Sequence, residues 1–204
     1  MERKNIDEER VQDTVAFHGH MCPGLAIGIR AAEVALKEIG PHAQDEEVVA
    51  VVETDMCGVD AIQFLTGCTF GKGNLIHLDY GKNSFTFYRR SDGRGIRLVT
   101  RGEALEARDP EYASLRSRLG DPHLTQEERN RFQQLHEARC KHILETPLED
   151  LFEFKKPQSK IPGHARLMDS VTCESCGEAV METRTRRFSG KTVCIPCFNQ
   201  MEQR

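Results

Sequence analysis

Four of the chain's eight cysteines stand in two pairs, Cys173-x2-Cys176 and, after seventeen intervening residues, Cys194-x2-Cys197. Each pair turns tightly enough for both sulfurs to reach one ion, and two such knuckles complete a tetrahedron, so the spacing predicts a zinc ribbon. Four unrelated thiols, two redox pairs and an iron centre of rubredoxin type are the competing readings. A second constellation lies far upstream. His18, His20 and Cys22 fall within five residues, directly ahead of Pro23. A thiol at a helix N-terminus meets unpaired N–H groups and the positive end of the dipole, which favour the thiolate. Two imidazoles beside it offer metal ligands or a base; the bland alternative is a loop histidine pair with an inert thiol.

Cys57, ahead of Gly58-Val59-Asp60, occupies an electrostatically similar helix start. Two adjacent helix starts would bring Cys57 to Cys22 and the histidines, giving a core site for a second metal, zinc or iron. Cys68 follows eleven residues later, roughly 16 Å along a helix and too far to share the ion. The run Gly67-Cys68-Thr69-Phe70-Gly71-Lys72-Gly73-Asn74 resembles a phosphate cradle only loosely, because it has three residues between the glycines and Gly after Lys72. It reads as a tight turn entering a strand, or as a place where Lys72 and backbone N–H groups line the same cleft and attract a small anionic substrate. Cys140 reads as a packed thiol. His42, His123, His136, His142 and His164 have no convergent partners and receive no role.

The elements that must position these residues follow from periodicity and breakers. A short helical lead-in precedes the loop 17–21. Pro23 starts a helix whose apolar residues Leu25, Ile29, Ala32, Leu36 and Ile39 recur at three- and four-residue steps, until Gly40-Pro41 ends it. Gly24, Gly28, Ala31 and Ala35 give this helix a small-residue face suited to packing on a sheet. Glu47–Glu53 is a valine-rich strand and Gly58–Leu65 a short helix. Asn74–Tyr80, Ser84–Arg89 and Gly95–Val99 read as strands of an antiparallel meander, with turns at Gly81-Lys82-Asn83 and Ser91-Asp92-Gly93. The order α-β-α-β-β-β indicates an α+β core.

Residues 103–145 are polar and helical, broken near Asp109-Pro110 and Asp121-Pro122, with Thr125 and Glu128 forming a capping box. The expected division is a core with helical extension over 1–155, a linker over 156–168 and the ribbon over 169–204. In the ribbon, Gly190-Lys191 falls where a hairpin turn belongs, and Arg184, Arg186 and Arg187 form either a solvated face or a binding contact.

A net charge of −4, with 29% charged and 38% hydrophobic residues, suits a soluble globular protein and disfavours a general nucleic-acid binder. The charged start MERKNIDEER offers no apolar core to a signal peptide, and the densest apolar stretch, Val48–Val52, cannot span a bilayer. A cytoplasmic protein without membrane contact is expected, with its thiols reserved for metal or redox chemistry.

FHGHMCPG at 17–24, CGVDAIQFLTGCTFGKGNL at 57–75 and the TFYRR run ending at Arg90 resemble the E-type (FmdE) proteins of formylmethanofuran dehydrogenase. The resemblance covers about residues 10–155. Some members also carry a C-terminal zinc ribbon. It implies an α+β core like the C-terminal domain of glyceraldehyde-3-phosphate dehydrogenases and a homodimer. It also implies a site made of His18, His20, Cys22, Cys57, Asp60, Cys68 and Lys72. The parent complex handles formylmethanofuran with molybdenum or tungsten, pterin and iron–sulfur centres in other subunits. This chain lacks the ferredoxin-like cysteine run that electron transfer through it would need. The expected function is a metal-binding accessory or catalytic subunit in one-carbon or molybdenum-linked redox metabolism, associated with a larger redox enzyme complex. The alternatives are a ribbon-based docking module that binds a larger enzyme or nucleic acid, and a metallochaperone or metal sensor.

Overall fold

The computed structural model describes residues 6–102 and 109–203 and divides into two compact units, 1–164 and 165–204. The first unit contains α1 (Glu8–His18), α2 (Pro23–Glu38), β1 (Val48–Val52), α3 (Gly58–Thr66), β2 (Leu75–His77), β3 (Ser84–Arg89) and β4 (Gly95–Thr100). It continues with α4 (Pro110–Ser117), α5 (Gln126–Glu145), the single turn α6 (Leu148–Leu151) and β5 (Phe152–Lys155). The α+β class and the α-β-α-β-β-β order are those expected from the sequence. The part of the polar helical stretch at 103–108 lies outside the described residues.

The sheet runs β2-β1-β3-β4-β5. It is not the expected three-strand meander. β2 pairs parallel with β1, Ala50 opposite Leu75, whereas β1–β3, β3–β4 and β4–β5 are antiparallel. Helix α3 between β1 and β2 makes a crossover unit, and a strand returned by a helix enters the sheet parallel. The turn signal at Gly81-Lys82-Asn83 is real, but it carries the chain across β1 to β3. β5 carried no sequence expectation: Phe-Glu-Phe-Lys is short, and its partner β4 lies more than fifty residues away in sequence.

Alternation along the strands sorts the sheet's two faces. Val48, Ala50, Val52, Leu75, Phe85, Phe87, Leu98 and Phe152 pack with Ala31, Val34, Ala35 and Ile39 of α2 and with Ile62 and Ile143. Each fully buried Phe or Leu contributes about 1.5–3 kcal/mol, so this face supplies most of the unit's apolar stabilisation. On the opposite face Val49, Val51 and Tyr88 are covered by Ile161. Tyr88 Oη lies 2.7 Å from Ser159 Oγ, and the Arg90 guanidinium donates to the Gly163 carbonyl at 2.8 Å. The first half of the stretch read as a linker is thus a strap laid on the sheet, and the compact unit ends at His164.

α4 and α5 obey the expected caps. Asp109 accepts from the Glu111 N–H at 2.9 Å, and Thr125 with Glu128 forms both bonds of a capping box. The small-residue face of α2 divides its work. Ala31 and Ala35 meet the sheet, but Gly28 meets α3, where a Cβ on Gly28 would lie 2.2 Å from the Gly58 carbonyl oxygen. A Cβ on Gly58 would lie 2.8 Å from the Gly24 carbonyl oxygen. The crossing needs glycine on both helices.

The second unit contains β6 (Ser170–Thr172), β7 (Ala179–Met181), a 3₁₀ turn (Glu182–Arg184), β8 (Thr185–Phe188), β9 (Lys191–Cys194) and α7 (Ile195–Glu202). β6–β7 and β8–β9 are antiparallel hairpins. Ser189 and Gly190 both adopt positive φ, 49° and 81°, the twist a two-residue hairpin turn requires, at the expected place.

Replacing Gly28 by Ala should force α2 and α3 apart. Overpacking of this kind costs about 1–3 kcal/mol. The core's melting temperature should fall by roughly 2–4 °C for each kcal/mol, read by thermal unfolding of the full chain. Gly71, whose Cβ would meet nothing within 4 Å, should accept Ala without loss.

Candidate metal centres

His18 is the last residue of α1, and Gly19 ends that helix in the left-handed conformation. The chain then reaches Cys22, the N-cap of α2, in extended backbone, and its Sγ accepts from the Leu25 N–H at 3.3 Å. Cys57 is the N-cap of α3, but its backbone is already helical and its side chain caps nothing. The Gly28–Gly58 crossing sets the two helix starts side by side, and a Cβ on Gly24 would touch Cys57 Cβ at 3.3 Å. A ring nitrogen of His18 and the sulfurs of Cys22 and Cys57 all lie within 4.8 Å of one another. His18 Nδ1 sits 2.7 Å from Asp60 Oδ2, while Nε2 is buried and has no hydrogen-bond partner. Asp60 stands in the first turn of α3, where a carboxylate is favoured.

The thiol chemistry differs from the expectation at one point. Burial pushes the Cys57 thiol up, and hydrogen bonding and charge from Cys22 push it further. Crowding with a second sulfur outweighs the helix terminus.

Of the other expected site residues, His20 stacks against His18 with ring centroids 4.8 Å apart but is exposed and is not among the three clustered ligands. Cys68 is fully buried, donates to the Val48 carbonyl at 3.4 Å and has its thiol pushed up by burial. Lys72 Nζ donates to the Ala43 carbonyl at 2.7 Å and lines a separate hollow of ≈ 470 Å³ with Asp45, Glu46, Glu47 and His164. That hollow holds three carboxylates against the lysine, so it makes no anion cradle. Val48 and Val52 stand at opposite ends of β1, roughly 13 Å apart at strand rise. Cys68 and Lys72 serve the first end; His18, Cys22 and Cys57 serve the second. Gly67–Asn74 is the turn of the bland reading, pinned by the Asn74 side chain, which accepts from the Thr69 N–H and donates to the Val48 carbonyl. Cys140 is a packed thiol, pushed up to about 11 by burial.

A cleft of ≈ 300 Å³ opens beside the cluster, lined by His18, Cys57, Asp60, Thr54, Asp55 and His77 together with apolar Val52, Met56, Val59 and Leu75. Thr54, Asp55 and His77 are additions to the site expected from the sequence. The signal that points to them is topological: β1 and β2 are parallel, so the residues that follow both strands meet at one sheet edge, where α/β crossovers place ligands.

In the second unit the four sulfurs of Cys173, Cys176, Cys194 and Cys197 lie within 4.8 Å of one another, a donor set that fits zinc. The N–H groups of Cys176 and Cys194 hold the Cys173 thiol down at about 6. Cys176 is pushed up to about 12, its contact with the Glu178 N–H outweighed by the surrounding sulfurs and burial. Without a cation, the four thiols cannot all ionise. Val193 is fully buried, and Phe188 and Phe198 meet edge to face at 5.6 Å, but little other apolar surface is covered. Structural zinc worth about 10–16 kcal/mol dominates so small a core.

Comparison with known proteins agrees with both units. Residues 17–153 match the family described as FmdE, molybdenum formylmethanofuran dehydrogenase operon, and residues 170–203 match the prokaryotic dksA/traR C4-type zinc finger. A probable S-adenosyl-L-methionine-binding protein of Archaeoglobus fulgidus is 31% identical over 192 residues. That alignment takes in 89% of this chain and 50% of the relative, so the chain spans about half that protein's length. The crystal structure of a tungsten formylmethanofuran dehydrogenase FmdE-like protein from Syntrophus aciditrophicus superposes with a TM-score of 0.60 at 24% identity. It covers 97% of this chain and 94% of that one. The fold and the matched residues define a metal-binding α+β protein with an attached C4 zinc finger. The chain belongs to the FmdE family. No helix among the described residues is long and apolar enough to cross a membrane.

Cys173→Ser or Cys194→Ser should release one zinc per chain and unfold the second unit while the first keeps its melting transition. Zinc analysis paired with calorimetry checks this, and full zinc retention in both variants would remove the assignment.

Proposed function

We propose that this chain is a metal-binding subunit whose core holds a second ion, zinc or iron, on His18, Cys22 and Cys57. The observation that carries this reading is His18. Its Nδ1 is engaged by Asp60, and its buried Nε2 lacks a partner beside two sulfurs. A buried polar atom left unpaired costs about 1–3 kcal/mol. A cation offsets that cost and also relieves the crowding that pushes the Cys57 thiol up. The carboxylate–imidazole pairing is the support that metal-ligating histidines use elsewhere. Three protein ligands leave one position open toward the cleft, as catalytic sites require.

Such an ion supplies Lewis-acid polarisation and lowers the pKa of a bound water or thiol. The chain's own residues do the rest. Asp60 keeps the proton on Nδ1 so that the Nε2 lone pair faces inward. The Leu25 N–H steadies Cys22. Val52, Val59 and Leu75 keep one wall dry, and His77 at the rim is placed to accept or return a proton. This suits an accessory or catalytic subunit in one-carbon or molybdenum-linked redox metabolism, working as a homodimer or within a larger redox enzyme. A second reading, that the core binds S-adenosyl-L-methionine, draws on the name of the Archaeoglobus relative. Equilibrium dialysis with that compound tests it, and absence of binding with the metal in place ends it.

After reconstitution and dialysis the full chain should retain two ions. Cys22→Ala should retain one and Cys140→Ala two. A single ion in the wild-type chain would leave a ribbon docking module. A second ion that dialyses away would mark a carrier or sensor.

A further inference from the structure

We infer that the cleft beside His18, Cys22 and Cys57 selects small ligands that carry a positive charge, such as a primary ammonium group, next to the atom that reaches the metal. This rests on the metal site proposed above. Two thiolates cancel the charge of a divalent ion, and His18 is neutral when Nε2 is a ligand and Nδ1 keeps its proton. The sign of the cleft is therefore set by what surrounds the ion. Asp55 and Asp60 both line it, and among the described residues the lining contains no lysine or arginine. Arg97, near the end of β1, has its charge met by Glu53 at 2.9 Å. Lys72, the cation expected to draw an anion here, bonds the Ala43 carbonyl and lines the hollow at the other end of β1. Asp55 is exposed and forms no ion pair among the described residues, so its charge remains available to a ligand. The walls of Val52, Val59 and Leu75 lower the local dielectric and strengthen that charge.

A carboxylate several ångströms from a unit charge in a partly solvated cleft changes affinity roughly five- to tenfold. The test uses the full chain loaded with cobalt(II), and three thiols of equal reach: 2-aminoethanethiol, 2-mercaptoethanol and mercaptoacetate. Sulfur binding at the open position is followed by its charge-transfer band in difference spectra. Affinity should fall in that order. Because the three thiols differ in intrinsic donor strength, the decisive quantity is the ratio of the first affinity to the last. Asp55→Asn should reduce that ratio at least about threefold, and raising salt from about 20 to about 500 mM should also compress it. An unchanged ratio in Asp55→Asn with cobalt bound at the core would overturn the charge selection and leave the metal site standing. Failure of the core to bind cobalt, with Cys22→Ala carrying the same cobalt content as wild type, would overturn both.

Discussion

The core depends on one close approach. Gly28 and Gly58 let α2 and α3 touch backbone to backbone, and every other feature of the candidate centre follows from that distance. Cys22 and Cys57 are each the N-cap of one of these helices. Their side chains leave the backbone near the point where the helices cross, so the sulfurs converge without help from a long loop. A side chain at either glycine would widen the crossing and separate the thiols. The same contact fixes α3 over the sheet, and α3 in turn delivers Asp60 to His18. Helix packing is thus the cause of the site, and the thiol cluster is its consequence.

The parts of this arrangement legible in the sequence are the local ones. Pro23 and Gly40-Pro41 bound α2, the valine run is β1, and the paired cysteines of the ribbon announce their own geometry because each CxxC knuckle folds on itself. The polar helices are legible for the same reason, since caps at Asp109 and Thr125 act over three residues. What remained hidden is non-local. The place of β2 beside β1 is decided by a crossover rather than by the residues of β2, and β5 by pairing with a strand far along the chain. His77 and Asp55 enter the cleft only through that strand order. The small residues of α2 were visible, but whether they face a sheet or a helix depends on tertiary packing, and they do both.

The two units use metal ligands under opposite physical conditions. In the second unit, little apolar surface is buried, so four thiols without a cation would repel one another in a structure with nothing to hold it; the ion and the fold are one equilibrium. In the first unit, Phe85, Phe87 and Phe152 and the α2 face supply a core that does not need an ion. There the scaffold fixes the ligands in advance. A preformed cluster with fewer protein ligands suits chemistry or ligand capture, whereas a four-thiolate knot suits structure.

The second family motif shows why a continuous sequence signature need not be one site. Residues 57–75 begin at the C-terminal end of β1, run up α3 and return to the N-terminal end of β1 before β2. The start of the motif, Cys57 and Asp60, therefore faces the cluster. The end of the motif, Cys68, Lys72 and Asn74, faces the other end of the strand, where its bonds go to the carbonyls of Ala43 and Val48. Those bonds tie the crossover loop to the chain entering β1, which holds β2 in parallel register and so keeps His77 at the cleft. Glycine, cysteine and lysine at 67–73 act on the site through the sheet, at a distance of a whole strand.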